Sequence, residues 1–196
     1  MKAAEDFKRE NGSWSKYLTL GPCKSLQTVS GRKWDNMENR CKPHGWLQKQ
    51  QPSYIGCTNE FGSFNDFVEW HRSKIGYGFL EIDKDVLFKG NKVYSAETCT
   101  LLPRKLNQML TGRSKRADDL PLGVCFDKET QRYLAQCSNG YGKRGLYQRF
   151  DTPDEAFSAY KKYKENLIRS IANEWRCRIE PKAYEALQNF VVTPHD

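Results

Sequence analysis

Two aspartates flank one lysine in Asp83-Lys84-Asp85, and an asparagine, Asn107, follows on a later segment. Carboxylate and amide oxygens are the donors a hard divalent cation takes, and Mg²⁺ or Mn²⁺ keeps several waters beside them. Such an ion stabilises charge on a scissile phosphate and on its leaving oxygen. Asp83, Asp85 and Asn107 are therefore the expected metal ligands of a phosphodiester-cleaving site. A general base must also deprotonate the attacking water. Lys84 is placed to neutralise a phosphate, or is a solvated strand end. None of the three histidines, His44, His71 and His195, lies in this stretch.

The rest of the chain suits a polyanion. Its 196 residues hold 32 Lys+Arg against 24 Asp+Glu, a formal charge of +8. Residues 51–103 carry five basic and seven acidic side chains, whereas residues 104–116 carry five basic and none acidic. Those five are Arg104, Lys105, Arg113, Lys115 and Arg116. Each phosphate neutralised by such a surface releases counterions, so basic flanks around an acidic middle fit nucleic acid. A solvated surface with scattered charge is the competing reading. No apolar run approaches the ~20 residues of a membrane span, and the first residues lack an apolar signal core. Seven cysteines, an odd number without a Cys-x-x-Cys pair, point to reduced thiols. Cys41, Cys57 and Cys99 read as buried thiols in preference to a partial zinc site. The expectation is a cytoplasmic protein with no membrane partner and no small-molecule cofactor.

Period and punctuation outline the elements that must hold these groups. Trp34, Met37 and Cys41 predict a short helix from about residue 32, and residues 42–52 read as a loop. Ser63-Phe64-Asn65-Asp66 resembles a capping box opening a helix that buries Phe64, Phe67, Val68 and His71, the histidine as packing. Residues 79–88 read as a strand, 89–92 as a turn and 93–94 as its return, with a helix after Pro103. A hairpin followed by a helix would bring Asn107 toward Asp83 and Asp85.

Beyond residue 120 the pattern changes to three strands, at residues 122–126, 132–138 and 144–150. A helix follows with Thr152 as N-cap, Pro153 at N1 and Glu155 at N3. Its stripe of Ala156, Tyr160, Tyr163, Leu167, Ile171 and Trp175 should cover one sheet face, and a last helix starts at Pro181. Strand alternation turns Tyr133, Ala135, Cys137, Gly145 and Tyr147 inward, and Arg132, Leu134, Gln136, Ser138, Arg144 and Leu146 outward, and Arg149 is read on the same outward face. A two- or three-stranded ribbon fits the major groove, where Arg pairs with guanine and Gln with adenine. An ordinary antiparallel sheet with one wet face would also be polar.

The segments Leu122-Gly123-Val124, Arg132-Tyr133-Leu134-Ala135 and Phe150-Asp151-Thr152-Pro153-Asp154-Glu155-Ala156, with Ala159-Tyr160, resemble the AP2 DNA-binding domain over about residues 120–168. The resemblance implies a three-stranded sheet laid in the major groove and backed by one helix. Its reading side chains would be Cys125, Arg132, Gln136, Ser138, Arg144, Leu146 and Arg149, with Lys143 beside them in the DNA-binding set. Upstream, Trp34-x-x-Met37-x-x-Arg40-Cys41, Tyr54-Ile55-Gly56-Cys57, Ile82-Asp83-Lys84-Asp85, Gly90-Asn91-Lys92-Val93-Tyr94-Ser95-x-Glu97-Thr98-Cys99 and Leu106-Asn107 are similar to the phage HNH (ββα-metal) endonucleases. Many of those carry an AP2 module downstream. On that mapping Asp83 or Lys84 stands at the family's catalytic histidine, Thr98 at its central asparagine, and Asn107 at the final metal-side position. Asp83 would then replace the base or serve as a ligand, with Asp85 as a second oxygen donor, and a carboxylate of ordinary pKa, about 3.9, works as a base at neutral pH only where its surroundings raise it.

The expected fold class is α+β. An N-terminal extension (residues 1–31) precedes an HNH-like ββα-metal domain (32–112) and a linker (113–119). An AP2-like three-stranded antiparallel sheet packed on a helix (120–178) and a C-terminal helix and tail (179–196) complete it. The expected function is metal-dependent cleavage or nicking of double-stranded DNA, homing-endonuclease-like, inside a bacterial host. The alternative is a catalytically inactive HNH-fold protein that holds DNA as a regulator or clamp during phage infection. A module directed at RNA or protein is a third, weaker reading.

Overall fold

Thr28, not a residue near 32, opens the first helix: its Oγ1 accepts from Gly31 N at 2.9 Å, and α1 runs Val29–Cys41. The computed structural model describes residues 28–110 and 120–194, in two compact units divided between Leu101 and Leu102. The expected linker, most of the N-terminal extension, and the candidate contacts Arg113, Lys115 and Arg116 lie outside the described residues.

In the first unit the expected loop at 42–52 contains α2, Trp46–Gln50, followed by a 3-10 turn over Pro52–Tyr54. A short strand, β1 (Thr58–Asn59), leads to α3, Phe64–Ser73. The capping box is present: Asp66 N donates to Ser63 Oγ, and Ser63 N donates to Asp66 Oδ2. An aromatic cluster joins α1 to α3. Trp34 lies 5.3 Å from Phe67 and 5.8 Å from Phe64, and Phe61 lies 4.9 Å from Trp70, centroid to centroid. Each such pair contributes about 0.5–1.5 kcal/mol beyond the area it buries.

His71 is fully buried in this cluster, stacked 5.5 Å from Phe67 with Nδ1 3.0 Å from Ser30 Oγ. Burial, reinforced by the Lys33 and Arg72 charges, lowers its pKa to about 4. The unfolded chain, with an ordinary value near 6.5, therefore takes up the proton first. Stability is full at neutral pH and falls as pH drops from about 6.5 to about 4, by up to about 3 kcal/mol. Thermal unfolding followed from pH 7 to pH 4 should show a flatter dependence in His71→Phe, which keeps the stacked ring, than in the native chain.

Residues 79–88 do not form one strand. β2 covers only Glu81–Asp83, because Asp83 Oδ1 accepts the amides of Asp85 (3.0 Å) and Val86 (2.6 Å) and turns the chain. β3 (Val93–Tyr94) consequently does not return along β2. It pairs in parallel with β1, Thr58 opposite Val93, while β2 pairs with β4, Thr100–Leu102. Two small sheets replace the expected hairpin.

The second unit begins with α4, Arg104–Leu110. Three strands, β5 (Val124–Asp127), β6 (Arg132–Ser138) and β7 (Arg144–Phe150), form an antiparallel sheet in that order. A helix of 22 residues, α5 (Pro153–Glu174), follows with Thr152 and Glu155 in the expected capping box. Val124 and Ala135 from the sheet pack on Ala156 and Tyr160 of α5 and on Val192, with Tyr133, Cys137, Leu146 and Phe150 around them. The buried face of α5 includes Ile168, Ile171 and Ala172, with Leu167 only half-buried, because steps of four from Ala156 and Tyr160 lead to 168 and 172. α6, Pro181–Gln188, adds Ala183 and Leu187. The returning chain is tied down where Leu122 N donates to Pro194 O (2.9 Å) and Val192 N to Glu165 Oε1 (3.0 Å). No described helix is long and apolar enough to cross a membrane.

Candidate nucleic-acid interface

The orientation of β7 depends on one bulge. Cys137 pairs with Leu146 and Ser138 with Arg144, so Gly145 is the additional residue. A Cβ there would collide with Tyr163 Oη, which explains the glycine. The extra residue corrects two expected orientations. Leu146 packs inward with Cys137, and Tyr147 turns outward opposite Gln136. Strict alternation from Arg144 misassigns both and would also turn Arg149 inward, whereas the bulge sets it outward opposite Leu134.

Arg132, Gln136, Ser138, Arg144, Tyr147 and Arg149 are all exposed and share the face away from α5. Two guanidinium groups approach the Tyr147 ring, Arg144 at 4.4 Å and Arg149 at 5.7 Å from its centroid. Arg149 Nε donates to Asp127 Oδ2 at 2.8 Å, and Arg132 Nε donates to Asp151 Oδ1 at 2.9 Å. The Arg149 bond, helped by Thr130, holds the Asp127 carboxyl down at about 2. Both bonds run through Nε, so the terminal amino groups of each arginine remain as a fork for a phosphate or a guanine edge. Exposed ion pairs contribute only about 0–1 kcal/mol, so exchanging a carboxylate for a ligand oxygen costs little.

The remaining sheet candidates play quieter parts. Gln136 Nε2 lies 3.5 Å from Cys125 Sγ, and Cys125 is half-buried. Leu134, though on the outer face, is only 6% exposed, between its cross-strand partners Cys125 and Arg149. Ser138 Oγ accepts from Gly140 N at 3.1 Å, and Lys143 is exposed at the end of the same turn. Arg104 is exposed on α4, whereas the Lys105 ammonium lies over the Tyr141 ring and is packed rather than presented.

The carboxylate cluster is built differently from what its spacing suggests. Asp83 is 5% exposed, and its Oδ1 takes two backbone amides. Burial pushes its carboxyl above the ordinary value, with those two amide bonds pulling the other way. Lys84 Nζ lies 2.6 and 2.8 Å from the two oxygens of Asp85 and 2.6 Å from Asn91 O. Asn91 closes the clasp, its Nδ2 donating to Lys84 O and Val93 O. Thr98 Oγ1 donates to Val93 O and accepts from Ser95 N, fixing the next turn. Asn107 lies on α4 in the second unit. Among the described residues no three His, Cys, Asp or Glu side chains are grouped to hold a metal ion. As arranged, these residues do not fit a divalent cation, because a lysine ammonium already occupies Asp85 and backbone amides occupy Asp83.

Asp83 is therefore a positioning residue for the 83–94 loop. Asp83→Ala leaves two amides without their acceptor and should cost about 2–6 kcal/mol, at about 1–3 kcal/mol for each unsatisfied buried group. Asp83→Asn keeps an oxygen in place and should cost less than half as much. Chemical denaturation of the two variants checks the difference.

Asp127 and Asp151 are candidate-face residues with no sequence expectation attached, and Tyr147 is one expected to face inward. The hairpin register puts Asp127 directly across from Arg132, yet its bond is to Arg149. No family model, no curated protein and no solved structure matches the chain.

Proposed function

We propose that the chain binds double-stranded DNA by laying the outer face of β5, β6 and β7 in the major groove. One observation carries this reading: Arg132, Gln136, Arg144, Tyr147 and Arg149 are exposed together on one sheet face while α5 seals the other. A twisted three-stranded ribbon has the width of the groove, and Arg and Gln are the side chains that read guanine and adenine edges. The likeness of residues 120–168 to the AP2 domain supports the same pose. Lys143 and Arg104 add positive charge for the phosphate backbone, which positions without reading sequence.

For the first unit the geometry favours the clamp over the nuclease. Asp83, Lys84, Asp85 and Thr98 all hold loops, so an HNH-like segment here acts as a scaffold. Cleavage is supported by a single observation, that burial raises Asp83 in the direction a general base needs. Two assays separate the readings. A labelled duplex titrated between about 50 and 200 mM salt should bind with steep salt dependence. Supercoiled plasmid incubated with Mg²⁺ or Mn²⁺ should stay intact. Open circles that vanish in Asp83→Asn would establish cleavage, and absence of duplex binding would remove the proposal.

A further inference from the structure

The 40–55 segment of the first unit presents an indole to solvent on a framework built to hold it there. Gln48 is 8% exposed, and its amide ties three backbone segments together. Nε2 donates to Arg40 O at 3.1 Å and to Tyr54 O at 3.2 Å, while Oε1 accepts from His44 N at 3.2 Å. The loop entering α2 is tight: Gly45 N donates to Lys42 O at 3.0 Å, and His44 is held at φ 57°, the left-handed region that non-glycine residues rarely occupy. Trp46, the first residue of α2, is nevertheless 71% exposed, and Ile55 beyond the 3-10 turn is 58% exposed.

Charge selects the occupant of this surface. No acidic side chain occurs between Glu38 and Glu60, whereas Arg40, Lys42 and Lys49 lie in that interval with His44. Lys42 and Lys49 are exposed, and Lys49 stands one helical turn from Trp46, on the same side of α2. Lys92 is tied to the same segment, its Nζ 2.5 Å from Ser53 O in the 3-10 turn. An exposed aromatic ring on a segment that carries lysines and no acid can stack a base while the lysines neutralise its phosphates. A base within a duplex has both faces covered by its neighbours, so the ring needs an unpaired one.

We infer that Trp46, with Lys42, Lys49 and Lys92, forms a second DNA contact that takes single-stranded DNA by stacking an unpaired base. The choice of DNA over RNA rests on the duplex reading of the sheet; the stacking itself does not. Fluorescence anisotropy with the full chain tests it, using labelled oligothymidylate, oligouridylate and duplex DNA of equal length. Trp46→Ala should weaken oligothymidylate binding about tenfold, the effect of losing one stacked base. Trp46→Phe should retain most of the affinity and Trp46→Leu should not, because stacking needs a π-face. Duplex binding should change less than twofold in all three. Unchanged oligothymidylate affinity in Trp46→Ala, or full affinity in Trp46→Leu, overturns the proposal, and the latter marks the face as an apolar protein contact. Tighter, Trp46-dependent binding of oligouridylate overturns the choice of DNA. If duplex binding is absent while the Trp46 effect persists, the sheet proposal fails and this one stands. Melting temperatures matching the native chain exclude unfolding as the cause.

Discussion

Replacing Arg144 and Arg149 together with alanine should weaken duplex binding on the order of 100-fold. Each well-placed arginine contact contributes about 1–3 kcal/mol, and about 1.4 kcal/mol is a factor of ten. Both guanidinium groups lie against the Tyr147 ring, so they are anchored on one side chain and presented together. Where they meet phosphates, the slope of log affinity against log salt should fall by about two; where they read bases, the loss should be larger on the preferred sequence than on others. Stability should move little, because Arg144 and Arg149 are exposed and the Arg149–Asp127 pair is exposed on its arginine side, with Asp127 half-buried. An affinity within threefold of the native chain would place the DNA elsewhere.

Gly123→Ala should unfold the second unit well below its normal melting temperature. Gly123 sits at φ 78°, and a Cβ there would collide with the Tyr160 ring carbons. Left-handed backbone costs an L-residue about 1–2 kcal/mol, and forcing an extra methyl into a packed core costs about 1–3 kcal/mol. Tyr160 has no easy retreat, being 4% exposed between Val124, Ala135 and Ala156. Gly123 O also accepts from Gln136 N at 2.9 Å, so a backbone shift at 123 would disturb the sheet as well. The sum, about 3 kcal/mol, corresponds to a fall of about 10–20 °C for a unit of this size. Circular dichroism melting measures it directly, and a fall of under about 4 °C, the least that 1 kcal/mol gives at this size, would mean that Tyr160 can swing clear.

The second unit was largely readable because its signals are local. Thr152, Pro153 and Glu155 satisfy the first amides of a helix whatever lies around it, and the turn residues near Asn139 and Gly140 set the hairpin. The strands at 132–138 and 144–150 fall where alternation put them. The failure on β7 was one residue deep: a bulge at Gly145, where Tyr163 of a distant helix leaves no room for a Cβ, reverses the sense of Leu146 and Tyr147. No periodicity within the strand announces it. In the first unit the aromatic helix α3 was legible from its capping box, but the strand at 79–88 was not. The Asp83 side chain competes with sheet pairing by bonding two amides ahead of it, and such local competition is invisible to a pattern of apolar and polar residues. The same bond changes the meaning of Asp83-Lys84-Asp85. Spacing alone cannot distinguish carboxylates waiting for a cation from carboxylates already held by a lysine and by backbone amides.

A nuclear magnetic resonance titration of the isotope-labelled chain with a short duplex tests the proposed DNA-binding face most directly. The side-chain signals of Arg132, Arg144 and Arg149, and the amides of Gln136 and Tyr147, should shift on addition of duplex, while those of Ile168 and Ala172 on the buried face of α5 stay in place. Shifts confined to α5 and α6, or none anywhere on β6 and β7, would contradict the placement of DNA on this sheet.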